Sequence, residues 1–138
     1  MRKIKSNDEA LKLFEESSIR QSEATETGDY KTGNRHHDII VACILYLYDS
    51  QQLQLLEPFL EHPHVGVRLW AAFALLSVDK IRAERVLKEV QNDDSNGIYR
   101  SDAMYTLKEW ENGKLKFPWE WARKNRYSNT TYKDLYPL

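Results

Sequence analysis

One cysteine, Cys43, is all the thiol chemistry in the 138 residues, so no internal disulfide can form and a reducing compartment is the expected setting. Cys43 lies inside the apolar run Ile39–Tyr48, where a small buried side chain is expected rather than a reactive thiol. That run spans only ten residues before Asp49, too few to cross a bilayer. An excess of one charge is also lacking: 20 basic side chains oppose 21 acidic ones, which removes any global pull toward nucleic acid or an anionic membrane. No stretch alternates apolar and polar residues cleanly enough for a strand, and no glycine-rich phosphate loop, nucleophile elbow or paired-carboxylate motif occurs. Residues 1–8 are charged and have no apolar core of the kind a secretory signal needs, so a cytoplasmic location is expected.

What is present is helical periodicity. In the stretch Val65–Val78, Val67, Ala71, Ala74, Leu75 and Val78 recur at helical spacing, and Ala72 and Leu76 widen the stripe. Arg68 is the only charge between His64 and Asp79, so this helix is expected to be buried on more than one side, with its alanines allowing close approach of neighbours. The rest of the chain is organised around it. Charge is unevenly spread: residues 1–79 carry a net of −4 and residues 107–138 a net of +3.

In chain order, Ser6 and Glu9 fit a capping box for a first helix through Ala10, Leu11 and Phe14, closed by Gly28. Asp29 suits the cap of a second helix that strengthens into His37–Tyr48. Ser50 suits the cap of a third, Gln51–Glu61, bent or divided by Pro58. Asp79-Lys80 opens a fifth helix with Ile81, Val86, Leu87 and Val90 expected inward, and Asn92–Gly97 is a loop. A sixth runs from about Ile98 to Glu111, with Ala103, Leu107 and Trp110 inward and Gly113 at its end. Pro118 suits the first turn of a short seventh helix over Trp119–Asn125, and Tyr127–Leu138 reads as irregular. The expected fold is all-α, with six to seven helices. One helical domain covers residues 1–115, and residues 116–138 form a short helix and tail that pack on it or extend from it.

An offset of 31 residues superimposes Leu56 on Leu87, Phe59 on Val90, Val67 on Ile98, Ala72 on Ala103 and Leu76 on Leu107, as in two stacked helical hairpins. The run from His62 to Leu76, with its Val67-Arg68 pair, Ala71-Ala72 and Ala74-Leu75 after a polar turn, resembles the inner-helix signature of HEAT-like repeats. With Gly28-Asp29-Tyr30-Lys31 and Asn34 upstream, and Leu107, Trp110 and Gly113 downstream, the chain resembles a small bacterial family of HEAT-like α-helical domains of unknown function over roughly residues 8–115. The resemblance implies a short α-solenoid. It also implies kinship with immunity proteins that bind and block toxin domains, and it supplies no catalytic residues.

Several residues are candidates for chemistry. His36-His37 and His62-x-His64 are metal-ligand types, but no supporting Cys or Glu stands at a ligand spacing, so loop and helix-start roles are preferred and no metal or cofactor is expected. Glu15, Glu16, Glu23, Glu26 and Asp29 read as a solvated face rather than as general acids or bases, and no enzyme activity is expected. Arg68 is expected to satisfy carbonyls or an acidic partner between layers, alongside the structural Ala71, Ala72 and Trp110. Trp70 and Phe73, with Met104, Tyr105 and Tyr46, either line a partner-binding groove or lie beneath a terminal segment.

The segment Lys114–Tyr127 mixes Phe117, Trp119 and Trp121 with Lys116, Arg123, Lys124 and Arg126. It reads as the cap of the open end of the array, as a protein interface, or as a site for single-stranded nucleic acid. The function expected is protein binding, with immunity against a toxin domain as its specific form and nucleic-acid binding as the alternative. The expected state is a monomer or weak dimer with no membrane partner.

Overall fold

A computed structural model describes residues 3–122. Among them there are six α-helices, two 3-10 segments and no strand. No described helix is long and apolar enough to cross a membrane. The chain divides into two compact units, one of residues 3–55 with 117–122 and the other of residues 56–116.

The first unit is built on a helical hairpin. Helix α1 (Asn7–Thr27) starts where the Ser6 hydroxyl accepts the Glu9 N–H and the Glu9 carboxylate accepts the Lys5 N–H. It stops at Gly28, whose φ of +75° is the left-handed conformation that glycine adopts without strain. The Asp29 N–H reaches back to the Ala24 carbonyl at 2.9 Å, while the Asp29 carboxylate accepts the Thr32 N–H and starts α2 (Tyr30–Asp49). With two residues between them, the helices fold back on each other, and Gly33 of α2 faces Ala24 of α1 with room for a methyl group in ordinary contact.

Every residue from Ile39 to Leu45 is buried, followed by Leu47. Seven consecutive residues at about 100° each go right round a helix, so α2 is enclosed on all sides at its middle. Burial of that kind stabilises by about 1.5–3 kcal/mol per large aliphatic side chain. The last element of this unit is the single turn α6 (Pro118–Trp121), which packs against α2. Proline at its first position gives up an N–H that has no helical partner, and the Glu120 carboxylate takes the Phe117 N–H at 2.7 Å.

Three expectations are corrected here. The Ser50 hydroxyl caps no third helix. Its backbone N–H closes α2 on the Tyr46 carbonyl, and its hydroxyl donates to the side chain of Asn7. The segment Leu53–Glu61 is a 3-10 helix rather than an α-helix, because Pro58 lacks the N–H that an α-helix would need there and its ring crowds the carbonyl four residues back. The organising helix ends at Leu75, not Val78: the N–H groups of Val78 and Asp79 both bond the Leu75 carbonyl, the chain turns, and Val78 is left exposed.

The second unit contains α3 (Val65–Leu75), α4 (Lys80–Asn92) and α5 (Tyr99–Glu111), with a 3-10 turn at Asp94–Asn96. Helix α4 packs against both α3 and α5. Val67, Ala71, Ala72, Ala74 and Leu75 of α3 are fully buried, and Ala83, Val86, Leu87 and Val90 form the inner stripe of α4. Ile81, expected inward, is 80% exposed. It lies two residues from Ala83, on the opposite side of the helix from the stripe that Ala83 shares with residues three, four and seven positions on. The 31-residue offset pairs buried residues at Leu56 and Leu87, Ala72 and Ala103, and Leu76 and Leu107, but it fails at Ile98, which is 51% exposed where Val67 is fully enclosed.

The end of α2 carries one strained residue. Gln51 has φ +59° and sits between an N–H bonded to the Tyr48 carbonyl and the Gln52 N–H bonded to the Leu47 carbonyl, the hydrogen-bond pattern that glycine usually closes. The left-handed conformation costs a residue with a Cβ about 1–2 kcal/mol, and glycine gives back about 0.5–1 kcal/mol through its freer unfolded chain. Gln51→Gly should therefore raise the unfolding free energy in urea by about 0.5–1 kcal/mol; a loss of stability would contradict this account of the turn.

Candidate functional site

Two aromatic groupings and one outer helix face are the candidates. In the second unit, Trp70 and Phe73 meet edge to face with ring centroids 5.9 Å apart, and both are half-buried. Such a pair adds about 0.5–1.5 kcal/mol beyond the area it buries. Met104 and Tyr105 stand on α5 with 53% and 64% of their surfaces exposed. Sequence reasoning grouped these four; the structure brings Trp70 and Phe73 into contact and leaves Met104 and Tyr105 outward. Tyr46 lies in the first unit and is half-buried.

In the first unit, Trp119 lies parallel to Tyr48 at 4.4 Å between centroids and parallel to Phe117 at 4.6 Å. These stacks fasten the C-terminal turn to the end of α2. Trp121 is 45% exposed. Arg123, with Lys124, Arg126 and the stretch Tyr127–Leu138, lies outside the described residues.

The residues read as structural are tied to their own surroundings. Arg68 donates from one guanidinium nitrogen to the carbonyls of His62 at 2.7 Å and Pro63 at 3.0 Å, so it clamps the turn before its own helix. His64 caps that helix by accepting the Gly66 N–H, and His62 accepts the His64 N–H. Ala71 and Ala72 are fully buried. Trp110 is half-buried and donates its indole N–H to the Glu84 carboxylate at 2.9 Å, joining α5 to α4.

The outer face of α5 adds Ile98, Asp102 and Glu109, which sequence reasoning missed, to the expected Tyr105. At helical spacing, Ile98, Asp102, Tyr105 and Glu109 fall in one row, away from the buried Tyr99, Ala103 and Leu107. Partial burial raises the Asp102 carboxyl above the ordinary carboxylate value. The signal lay in the heptad spacing from Ile98 to Tyr105, obscured because the 31-residue offset paired Ile98 with a core valine.

An open groove of about 520 Å³ runs along α4, lined by Ile81, Glu84, Arg85, Lys88, Glu89 and Asn92. Its charges are mixed, Arg85 approaches Glu89 at 3.9 Å, and Glu84 is engaged by Trp110. Among the described residues no three histidine, cysteine, aspartate or glutamate side chains gather in a way that could hold a metal ion. Burial drives the Cys43 thiol far above its ordinary value, so it stays protonated.

A buried polar seam separates α1 from α2. Ser17, Ser18, Ser22 and His36 are all nearly inaccessible, with His36 Nδ1 3.4 Å from the Ser17 hydroxyl and the Ser22 hydroxyl donating to the Ser18 carbonyl. The Ser18 hydroxyl has no hydrogen-bond partner among the described residues. An unsatisfied buried hydroxyl costs about 1–3 kcal/mol, so Ser18→Ala should raise stability by about 1 kcal/mol in urea unfolding, and a loss would show that the hydroxyl is satisfied in solution. Burial first, then the Arg20 and Arg35 charges, lowers the His36 pKa, and burial lowers that of His37. The unfolded chain then takes up protons before the folded one does. Stability should be constant above the unfolded histidine value of about 6.5 and fall as the pH drops below it. In His36→Gln, unfolding free energies at pH 7.5 and 5.5 should differ less than in the unaltered chain; an equal difference would remove His36 from that account.

Comparison with curated proteins gives no match, and comparison with solved structures gives none either. The family model described as domain of unknown function DUF2019 matches residues 8–110, which takes in α1 to α4 and most of α5. The chain belongs to the DUF2019 family.

Proposed function

We propose that this chain is a protein-binding module of HEAT-like build that works by covering a partner domain. Its specific form would be a cytoplasmic immunity protein that masks a toxin domain. The observation that carries the reading is the outer face of α5, where Ile98, Met104 and Tyr105 keep 51%, 53% and 64% of their surfaces in solvent on a helix whose inner side is already satisfied by Tyr99, Ala103 and Leu107. Large side chains with no packing role of their own suit an interface whose energy comes from a few anchors. Masking is steric and needs no cofactor and no reaction. The immunity role rests on the HEAT-like resemblance of His62–Leu76 and on that face together.

The nucleic-acid alternative draws on the basic aromatic segment. Trp119 is already stacked on both Tyr48 and Phe117, so fewer ring faces are open to bases than the sequence alone suggested.

The test is affinity capture from host lysate with the unaltered chain and with a Met104→Ser, Tyr105→Ser variant of unchanged unfolding midpoint. Capture of one stoichiometric protein that the variant loses, toxic when expressed alone and harmless when co-expressed with this chain, is the expected result. Capture of a protein that the variant retains would move the interface elsewhere, and recovery of nucleic acid in its place would favour the alternative.

A further inference from the structure

The row on α5 has a chemical character beyond being apolar. Ile98 and Tyr105, both largely exposed, flank Asp102 at spacings of four and three residues, and Glu109 continues the row one turn beyond Tyr105. Neither carboxylate makes a hydrogen bond or ion pair with the described residues. Arg100, two residues from Asp102, bonds instead to the Asp94 carboxylate at 3.0 Å and the Gln91 carbonyl at 2.9 Å, and Lys108, the other cation of α5, lies beside the row with no ion pair to Asp102 or Glu109 among the described residues. The row therefore holds two carboxylates, two exposed apolar side chains and no cation.

Resting on the protein-binding reading above, we propose that this row is the seat for a basic side chain of the partner protein, an arginine before a lysine, held at Asp102 with Ile98 and Tyr105 closing around it. Asp102 is exposed on this row and pairs with no described cation, so its charge is open to one from outside. A guanidinium docking there gains two parallel hydrogen bonds and lays its plane on the tyrosine ring. Seven residues of helix place Glu109 about 10 Å further along, within reach of a second basic residue on the same partner segment. Phosphate backbones are repelled by the same two carboxylates.

The test is selection from a phage-displayed library of random peptides on the full chain, followed by fluorescence polarisation of the enriched peptides against Asp102→Asn, Tyr105→Ser and, as a control on another face, Ile81→Ser. The expected result is enrichment of arginine or lysine beside apolar residues, with affinity falling about tenfold or more in Asp102→Asn. Affinity should fall in Tyr105→Ser as well and stay unchanged in Ile81→Ser. Peptides lost on Tyr105→Ser but held equally by Asp102→Asn would overturn the basic seat and leave the protein-binding reading standing. Failure to enrich any peptide, or binding indifferent to both changes, would overturn both. Sedimentation showing a dimer abolished by Tyr105→Ser would also overturn the seat, because the row would then be occupied by a second copy of the chain.

Discussion

Enclosure of α2 is the constraint on which the first unit depends. A helix with Ile39 to Leu45 all buried cannot be covered by one neighbour, and a polar residue anywhere in that run would be left without water or a partner. The capping at Asp29 and the ring stack of Tyr48 with Trp119 hold α2 and its neighbours in place at its two ends. The strained Gln51 is what remains where the chain must leave that helix abruptly. The polar seam of Ser17, Ser18, Ser22 and His36 marks the stretch where α1 covers α2 less economically.

The second unit follows a different rule. Its helices carry narrower stripes, so each buries one side and leaves another to solvent. On α4 the outer side is dominated by charges that neutralise one another, apart from Ile81. On α5 it carries exposed apolar side chains and, at Asp102 and Glu109, carboxylates that pair with no described residue. That contrast between two neighbouring helices in the same unit is the support for the binding role proposed for α5.

Much of this was legible in the residues. Ser6, Gly28, Asp29 and Asp79 mark helix ends because their chemistry is local: a side-chain oxygen reaches an N–H two or three residues away, and a glycine turns left-handed, with no help from the rest of the fold. The helical class was equally legible. Long-range outcomes were not. Ile81 and Val78 read as core because they are apolar near a stripe, yet a two-residue displacement puts Ile81 on the far side, and a turn at Leu75 releases Val78. The importance given to Val65–Val78 over Ile39–Leu45 reflected its alanines, whereas the longest enclosed run is the second helix. Tyr105 was read as a candidate, but Ile98 and Asp102 beside it were missed because a charge between two apolar residues looks like an ordinary surface until the packing shows that no described residue pairs with it.

The central claim is that Ile98 and Tyr105 are spare, present for a partner and not for the fold. Urea unfolding of an Ile98→Ser, Tyr105→Ser double variant beside Leu87→Ala measures this directly. The account predicts that the surface pair changes the unfolding free energy by no more than about 0.5 kcal/mol, while the core substitution costs about 2–5 kcal/mol. A loss of about 2 kcal/mol or more from the surface pair would contradict it, because those side chains would then belong to the packing of the chain itself.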